Sequence, residues 1–510
     1  MTNFEALYVK KMVNKVKYIF NGMWIGLFLL GICFSHSGCK DEFTTDPENK
    51  LTMPDSLLFD TVFSKTISPT AIFKVYNETK ENIKISSIVL ESQSNYFQIN
   101  VNGKSGTSFS DVEILSGDSL YVFVQIVADE SGDDIPLLID DKIKFLYNGN
   151  CQSVALSAYS QDVYHLREKI HIVSDTTWCG KKPFLVYDSI IVDSAATLTI
   201  KEGVMLYMKK NATMLVNGTL RIEGTLDNEV VFRTNRIDNV SKDLAFDLAT
   251  NQWGGIHISS TSTGNKINYA LIKGGAFGIE IDSAECNADA HRLVISNSHI
   301  HNAYSACLKA NCANVLAYNS LFTNGYYGCV VLAGGIYQFD HCTISSHRTS
   351  WYALTMSNCG YAEKPSTDVL PFKAVFNNCI LDGYTKREPL DEIYFRLFST
   401  HTIDSLDFRF DHSLIYTDIP EEEIVQDEAH FNQVIVNQSP MYVLIDNTNG
   451  LFDFHLSEES PCKEKGDLGL VLHNDAYKMD RDGVIRDVEA APDMGAYQMV
   501  VKSDSSAVNQ

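Results

Sequence analysis

Glu280 and Asp282, two residues apart on a stretch of alternating apolar residues, and Lys309 at the matching place one repeat later, come nearest to a reactive constellation in this chain. Residues at i and i+2 of a strand project to the same side. Two carboxylates so placed just span the roughly 5 to 10 Å that acid and base, or acid and nucleophile, need across a glycosidic bond. The rest of that outward column is Val331 and Thr355, flanked by Asn311, Ala333 and Ser357, and these give such chemistry little help. The plainer expectation is a cross-strand ion pair between Glu280 and Lys309. The sharper one makes Lys309 a general base beside acidic metal ligands. His299 and His301 form a second pair at i and i+2, with Lys273 and Asp382 in registers equivalent to His301. Without a third ligand column they are expected to be a solvated surface pair, so no metal or cofactor is assigned. Trp253, Tyr326, Tyr327, Trp351 and Tyr352 fall at turns and loops, where rings stack either on sugars or on loop edges.

These residues are positioned by a repeat. Asn297-Ser298-His299-Ile300, Asn319-Ser320-Leu321-Phe322 and His341-Cys342-Thr343-Ile344 follow one another at a step of 22 residues. Leu293 aligns with Val315, Ile295 with Ala317, and Cys307 with Cys329, so whole coils recur. A step of that size with strand alternation marks a solenoid, each turn burying its apolar side chains by stacking on its neighbours. With insertions the pattern extends to Tyr269-Ala270-Leu271-Ile272, Asn378-Cys379-Ile380-Leu381 and His412-Ser413-Leu414-Ile415. The small residue and the apolar residue two later point inward, and the one between faces out. The residue before the small one is Asn, His or Tyr. Asn and His tolerate positive φ, so this column reads as a tight corner between two strands. Cys307 and Cys329 are expected to point outward, within reach of a disulfide.

Stacked coils with an asparagine-rich corner resemble the right-handed parallel β-helix of pectate-lyase-like proteins. That resemblance implies an outer sheet face carrying any chemistry, either hydrolysis by carboxylates or elimination by a base beside acidic metal ligands. Upstream, Met214 to Thr225 and Gln252-Trp253-Gly254-Gly255-Ile256 resemble the opening coils of bacterial surface lipoproteins that join a sandwich domain to a β-helix. Asp480-Arg481-Asp482-Gly483-Val484-Ile485-Arg486 and Pro492-Asp493-Met494-Gly495-Ala496-Tyr497 resemble the closing motif of secreted β-helix proteins, which shields open strand edges and apolar side chains from water.

The N-terminus has Lys10, Lys11, Lys15 and Lys17, an apolar run from Ile19 to Phe34, and then Ser35-His36-Ser37-Gly38-Cys39, the layout of an export signal. Ser37-Gly38-Cys39 resembles the end of a lipobox. Cys39 is therefore the expected site of acylation, with Cys33 as the alternative because His36 departs from the usual aliphatic residue. Lys40-Asp41-Glu42 resembles the acidic tether that routes some lipoproteins to the cell surface. Strand-like runs between Asp55 and Asp162, separated by Asn102-Gly103, Ser116-Gly117 and Asn148-Gly149, predict an immunoglobulin-like β-sandwich.

The expected chain is thus all-β: signal peptide 1–38, tether 39–54, sandwich 55–163, right-handed parallel β-helix 164–429, last coils and C-terminal cap 430–497, and disordered tail 498–510. With 41 basic against 64 acidic residues the net charge is −23, which disfavours nucleic acid as a partner. The 12 cysteines lack CxxC or zinc-type spacing. The leading expectation is an outer-membrane lipoprotein, held by acylated Cys39, whose β-helix face binds glycan or surface polymer without clear catalysis. The alternatives are a polysaccharide lyase or glycoside hydrolase working around Glu280, Asp282 and Lys309, and a structural or adhesive surface protein.

Overall fold

The computed structural model describes residues 42–92, 96–236, 239–241, 244–245, 248–285, 289–348, 351–359, 369–383, 391–397 and 403–500. The signal sequence, Cys33, Cys39 and most of the tether lie outside the described residues, as does the tail beyond Val500. The chain forms two compact units. The first takes in the described residues up to Phe59 with Thr66–Ala128 and Leu138–Ala158; the second takes in Asp60–Lys65, Asp129–Leu137 and the described residues from Tyr159 on.

The first unit is a sandwich of two sheets. One carries the strands Phe43–Thr44, Asn82–Leu90, Leu137–Tyr147, Asn150–Gln161 and Ser56–Leu58 in that order, with Ser108–Ile114 also paired to Asn82–Leu90. The other runs Ala71–Tyr76, Ser119–Ile126, Phe97–Val101 and Lys104–Gly106. Strict alternation sends Val75, Ile85, Val122, Val124, Ile143 and Phe145 inward, each with no exposed surface. This is the period-2 signature of sheets wetted on one face.

The second unit is a parallel β-helix whose coils each contribute up to three strands. A first ladder of 11 strands runs from Tyr164–Leu166 to Ile435–Val436. A second ladder runs through Ile256–Ile258, Ile279–Ile281 and Leu308, Val330 and Leu354 to Ile393–Arg396. A third runs through Asn265–Asn268, Leu293–Ser296, Phe372–Asn377 and Asp407–Asp411 to Phe431–Asn432. Every pairing in these ladders is parallel, as β-crossover connections in one sense produce. The expected register holds: Leu293 pairs with Val315, Ile300 with Phe322 and Phe322 with Ile344.

The corners between third and first ladders lie where Asn and His recur. Tyr269, Asn297, Asn319, His341, Asn378 and His412 all have φ between 45° and 53°. Asn319 Nδ2 donates to Asn297 Oδ1 at 3.2 Å, and Asn297 Nδ2 donates to Asn268 Oδ1 at 2.9 Å, so the side chains bond along the stack. One step inward, the amides of Ala270, Ser298 and Cys379 donate to the hydroxyls of Ser298, Ser320 and Ser413. The small residue at this position thus continues the ladder inside the core. Phe339, Phe376, Phe410 and Phe431 stack ring on ring at 5.1, 4.8 and 6.0 Å.

Three expectations need correction. Cys307 and Cys329 are free and fully buried in the core, their thiols directed at the carbonyls of Thr323 and Ser345. They precede the inward Leu308 and Val330 at a bend, and strand parity does not extend through a bend. Ala333 and Ser357 are likewise buried. The outward face of the first ladder is covered: Leu321 packs with Phe454 and Ala496, while Ile380 and Leu414 pack with Leu456, Cys462 and Met494. The cover is the C-terminal segment, including the hairpin Tyr442–Asp446 with Leu451–Leu456.

The closing motifs fasten this segment to the side of the solenoid. Arg486 Nη1 donates to Asn319 Oδ1 at 2.9 Å, Gly495 N to Asn378 O at 2.7 Å, and Ala496 N to Thr343 Oγ1 at 3.1 Å. Asp480 accepts from the amides of Asp482, Val484 and Gln498, and Asp493 from those of Glu464 and Met499. Asp480 and Asp493 are therefore turn-formers that satisfy backbone donors, while Asp482 pairs with Arg481 and His455.

Candidate functional site

The second ladder aligns His257, Glu280, Lys309, Val331 and Thr355 in one outward column, because Ile256/Ile258, Ile279/Ile281 and Leu308/Ala310 are fully buried. Coils approach closely at the bend before it. A Cβ on Gly255 would collide with the Phe277 carbonyl, and one on Gly278 with the Cys307 carbonyl. Glycine at both positions lets these outward side chains stack at strand spacing.

Lys309 Nζ donates to Glu280 Oε1 at 2.9 Å, the cross-strand pair expected from the sequence. His257 was not foreseen. Its Nδ1 lies 3.3 Å from Glu280 Oε2 and its Nε2 2.9 Å from Asp282 Oδ2. With a carboxylate on each ring nitrogen, the imidazole is held as imidazolium. The bond to Glu280, opposed by burial and reinforced by Asp282, lifts its pKa to about 9. Burial pushes the Glu280 carboxyl up, but the bonds from His257 and Lys309 outweigh it and hold it below its usual range. The signal for His257 is the repeated Gly-Ile-x-Ile at Gly255–Ile258 and Gly278–Ile281, 23 residues apart.

Beside this quartet lies a row of rings. Lys309 Nζ sits 5.2 Å from the centre of the Phe277 ring. In the coils that follow, Tyr304 and Tyr326 lie parallel at 5.5 Å, and Tyr327 stands edge-on to both at 5.2 and 4.8 Å. Trp351 meets Tyr327 at 5.3 Å, and Tyr352 stacks on Tyr394 at 4.9 Å. Tyr304, Tyr326, Tyr327, Trp351 and Tyr394 each expose 38% to 48% of their surface. Such a contiguous aromatic patch departs from the scattered exposure usual on a monomer. Trp253, grouped with these rings from sequence, is instead buried against Phe232, its indole N–H donating to Lys273 O.

His299 and His301 are not a solvated pair. Both rings converge on Thr323 Oγ1, at 2.6 and 2.7 Å, and lie under Phe454 and Phe452 of the C-terminal hairpin. Burial pushes the His299 imidazole well below its ordinary pKa. With Lys273, Leu248 and Asn449–Phe452 they line a cleft of about 400 Å³. Asp382, in the same register, accepts from Tyr442 Oη at 2.8 Å and faces His347 at 3.2 Å. Among the described residues no group of three or more His, Cys, Asp or Glu is arranged to hold a metal.

No family model and no curated protein matches the sequence. Among solved structures, a complex of XylC with xylose is similar over 90% of this chain and 92% of its own, at 9% identity and a TM-score of 0.31. A family 123 glycoside hydrolase from Clostridium perfringens is similar over 23% of this chain, at 8% identity and a TM-score of 0.17; the chain spans about a quarter, 26%, of that protein's length. A PapD-like domain of human CEP192 is similar over 25% of this chain and 95% of its own, at 11% identity and a TM-score of 0.18.

Proposed function

We propose that this is a lipid-anchored cell-surface protein that binds glycan along the aromatic row beside the second ladder and does not cleave it. The observation that carries the reading is the row itself. Tyr304, Tyr326, Tyr327 and Trp351 are exposed on successive coils. At about 4.8 Å per coil they form an apolar strip that rises with the stack, suited to the flat faces of linked sugar rings. His257, Glu280, Asp282 and Lys309 supply a hydrogen-bonding margin beside it.

The same quartet argues against catalysis. Glycoside hydrolysis needs one carboxyl kept protonated near neutral pH, whereas Glu280 is held ionised between two cations. Elimination needs an unprotonated base, whereas His257 is imidazolium at neutral pH and Lys309 donates to Glu280. A charge-compensated network of this kind orders a surface. In this reading the first unit is an immunoglobulin-like spacer. Cys39, acylated after removal of residues 1–38, anchors the protein in the outer membrane, and Lys40-Asp41-Glu42 routes it to the exterior.

The test is a glycan array on the full-length protein with product detection by reducing ends and by the ultraviolet absorbance of unsaturated sugars. Binding without product, lost in Tyr326→Ala/Trp351→Ala, is expected. Product formation would turn the reading to an enzyme, and unchanged binding in the double variant would move the site elsewhere. Cys39→Ala should release the protein from the membrane fraction; retention would point to Cys33 or an uncleaved segment. Protease shaving of intact cells should remove it, and survival would place it in the periplasm.

A further inference from the structure

The sandwich unit has a cleft of about 330 Å³ lined by Thr70, Gln98, Ile99, Asn100, Ser105, Gly106, Thr107, Phe123 and Gln125. We propose that this cleft is a second saccharide site, taking a short segment of uncharged glycan independently of the solenoid. Its residues come together by register. Gln98 pairs with Gln125, and Asn100 with Phe123, on adjacent antiparallel strands. Phe123 pairs in turn with Ile72 on the next strand. Gln98, Asn100, Phe123 and Gln125 project to the outward face, since their neighbours Phe97, Ile99, Val101, Val122, Val124 and Ile126 are buried, and Ser105 joins them opposite Asn100.

The chemistry of the lining selects the ligand. It holds three carboxamides and three hydroxyl residues, Thr70, Ser105 and Thr107, and no charged side chain, in a chain of net charge −23. Carboxamides offer donors and acceptors together, which matches sugar hydroxyls and gives a carboxylate or phosphate no counter-charge. Gln125 Nε2 is oriented by Thr70 Oγ1 at 2.8 Å, and Asn100 Nδ2 donates to Ser105 Oγ at 3.1 Å. Phe123 gives the apolar floor. The volume lies at the lower end of the roughly 300 to 1,000 Å³ of ligand pockets, which limits the occupant to one end or a short stretch of a chain.

The experiment uses the full-length protein carrying Tyr326→Ala/Trp351→Ala, so that binding on the aromatic row is removed first. Xylohexaose, cellohexaose and mannohexaose are the uncharged probes and oligogalacturonate the charged one, each at millimolar concentration, read by calorimetry and by amide hydrogen exchange. At least one uncharged probe should bind and protect Phe97–Val101 and Ser119–Ile126. Adding Gln98→Ala and Gln125→Ala should weaken that binding at least tenfold while leaving the unfolding temperature unchanged. No protection of these strands by any probe, protection by oligogalacturonate alone, or protection indifferent to the two glutamines would each overturn the proposal. Failure of the aromatic-row reading leaves this outcome unaffected, because the protection is read on Phe97–Val101 and Ser119–Ile126, which carry no residue of the row.

Discussion

Asn319 does two jobs, and replacing it with glycine separates them. Its φ of 48° is a conformation that glycine adopts freely, so Asn319→Gly adds no backbone strain at the corner. What it removes is the side chain, whose Oδ1 accepts from Arg486 Nη1 at 2.9 Å and whose Nδ2 donates to Met479 O at 2.9 Å and Asn297 Oδ1 at 3.2 Å. Arg486 is fully buried, so its guanidinium would lose a partner where no water reaches. A hydrogen bond to a charged group contributes about 1.5 to 3 kcal/mol. With the amide bonds and the entropy of a new glycine, the cost is about 3 to 4 kcal/mol. Asn319→Val loses the same bonds and adds about 1 to 2 kcal/mol of left-handed strain. At the same place three corners on, His412 has a φ of 45° and a partly exposed ring bonded, among the described residues, to the adjacent Asp411, so His412→Gly should cost about 1 kcal/mol. Urea unfolding of the three variants, with amide exchange across Asn319–Thr323, measures the order. Adding Arg486→Met to Asn319→Gly should cost less than the sum of the two single variants, since each removes the same bond. If Asn319→Gly matches His412→Gly, or the costs of Asn319→Gly and Arg486→Met simply add, the corner does not hold the C-terminal segment.

Phe322→Ala empties a fully buried place that faces Phe339 at 5.8 Å, and should cost about 3 to 5 kcal/mol in the same unfolding assay. His301→Ala, harmless if the ring were solvated, should cost about 1 kcal/mol through the lost bond to Thr323 and the contact with Phe452; a cost within error of zero would return His301 to the surface. His257 and His455 have folded pKa values raised to about 9, by Glu280 with Asp282 and by Asp482 with Asp453. Their stabilisation is therefore fully present below the ordinary histidine value near 6.5 and is lost as pH rises through about 9. Both rings are partly open to solvent, so each should account for less than about 1 kcal/mol. Unfolding temperatures from pH 6 to 10 should fall at the alkaline end, and His257→Gln should flatten that slope.

A 22-residue step, read with the alternation of small and apolar residues, was enough to establish the coils and the inward column Ile300, Phe322, Ile344. It also placed positive φ at Asn297, Asn319 and His341. Each of these depends only on a residue's own strand and the coil beside it, and local pattern carries that information. The Glu280–Lys309 pair was legible for the same reason, lying in one register of adjacent coils. His257 escaped because its step to Glu280 is 23 residues and the next, to Lys309, is 29, so no constant period carries the column back to it and only the local Gly-Ile-x-Ile repeat marks it. The aromatic row was only half visible: Tyr326, Tyr327 and Trp351 stood out by composition, but their mutual packing depends on bends where strand parity lapses. What tertiary structure alone decided is the fate of the first ladder's outer face. Strand parity states that His299, Leu321, Thr343 and Ile380 leave the core, and that is correct for the coil taken alone. Residues from Tyr442 to Ala496, at least 62 positions further on, then bury that face. Such contacts have no period in the chain, so side-chain orientation could be read from the repeat while solvent exposure could not.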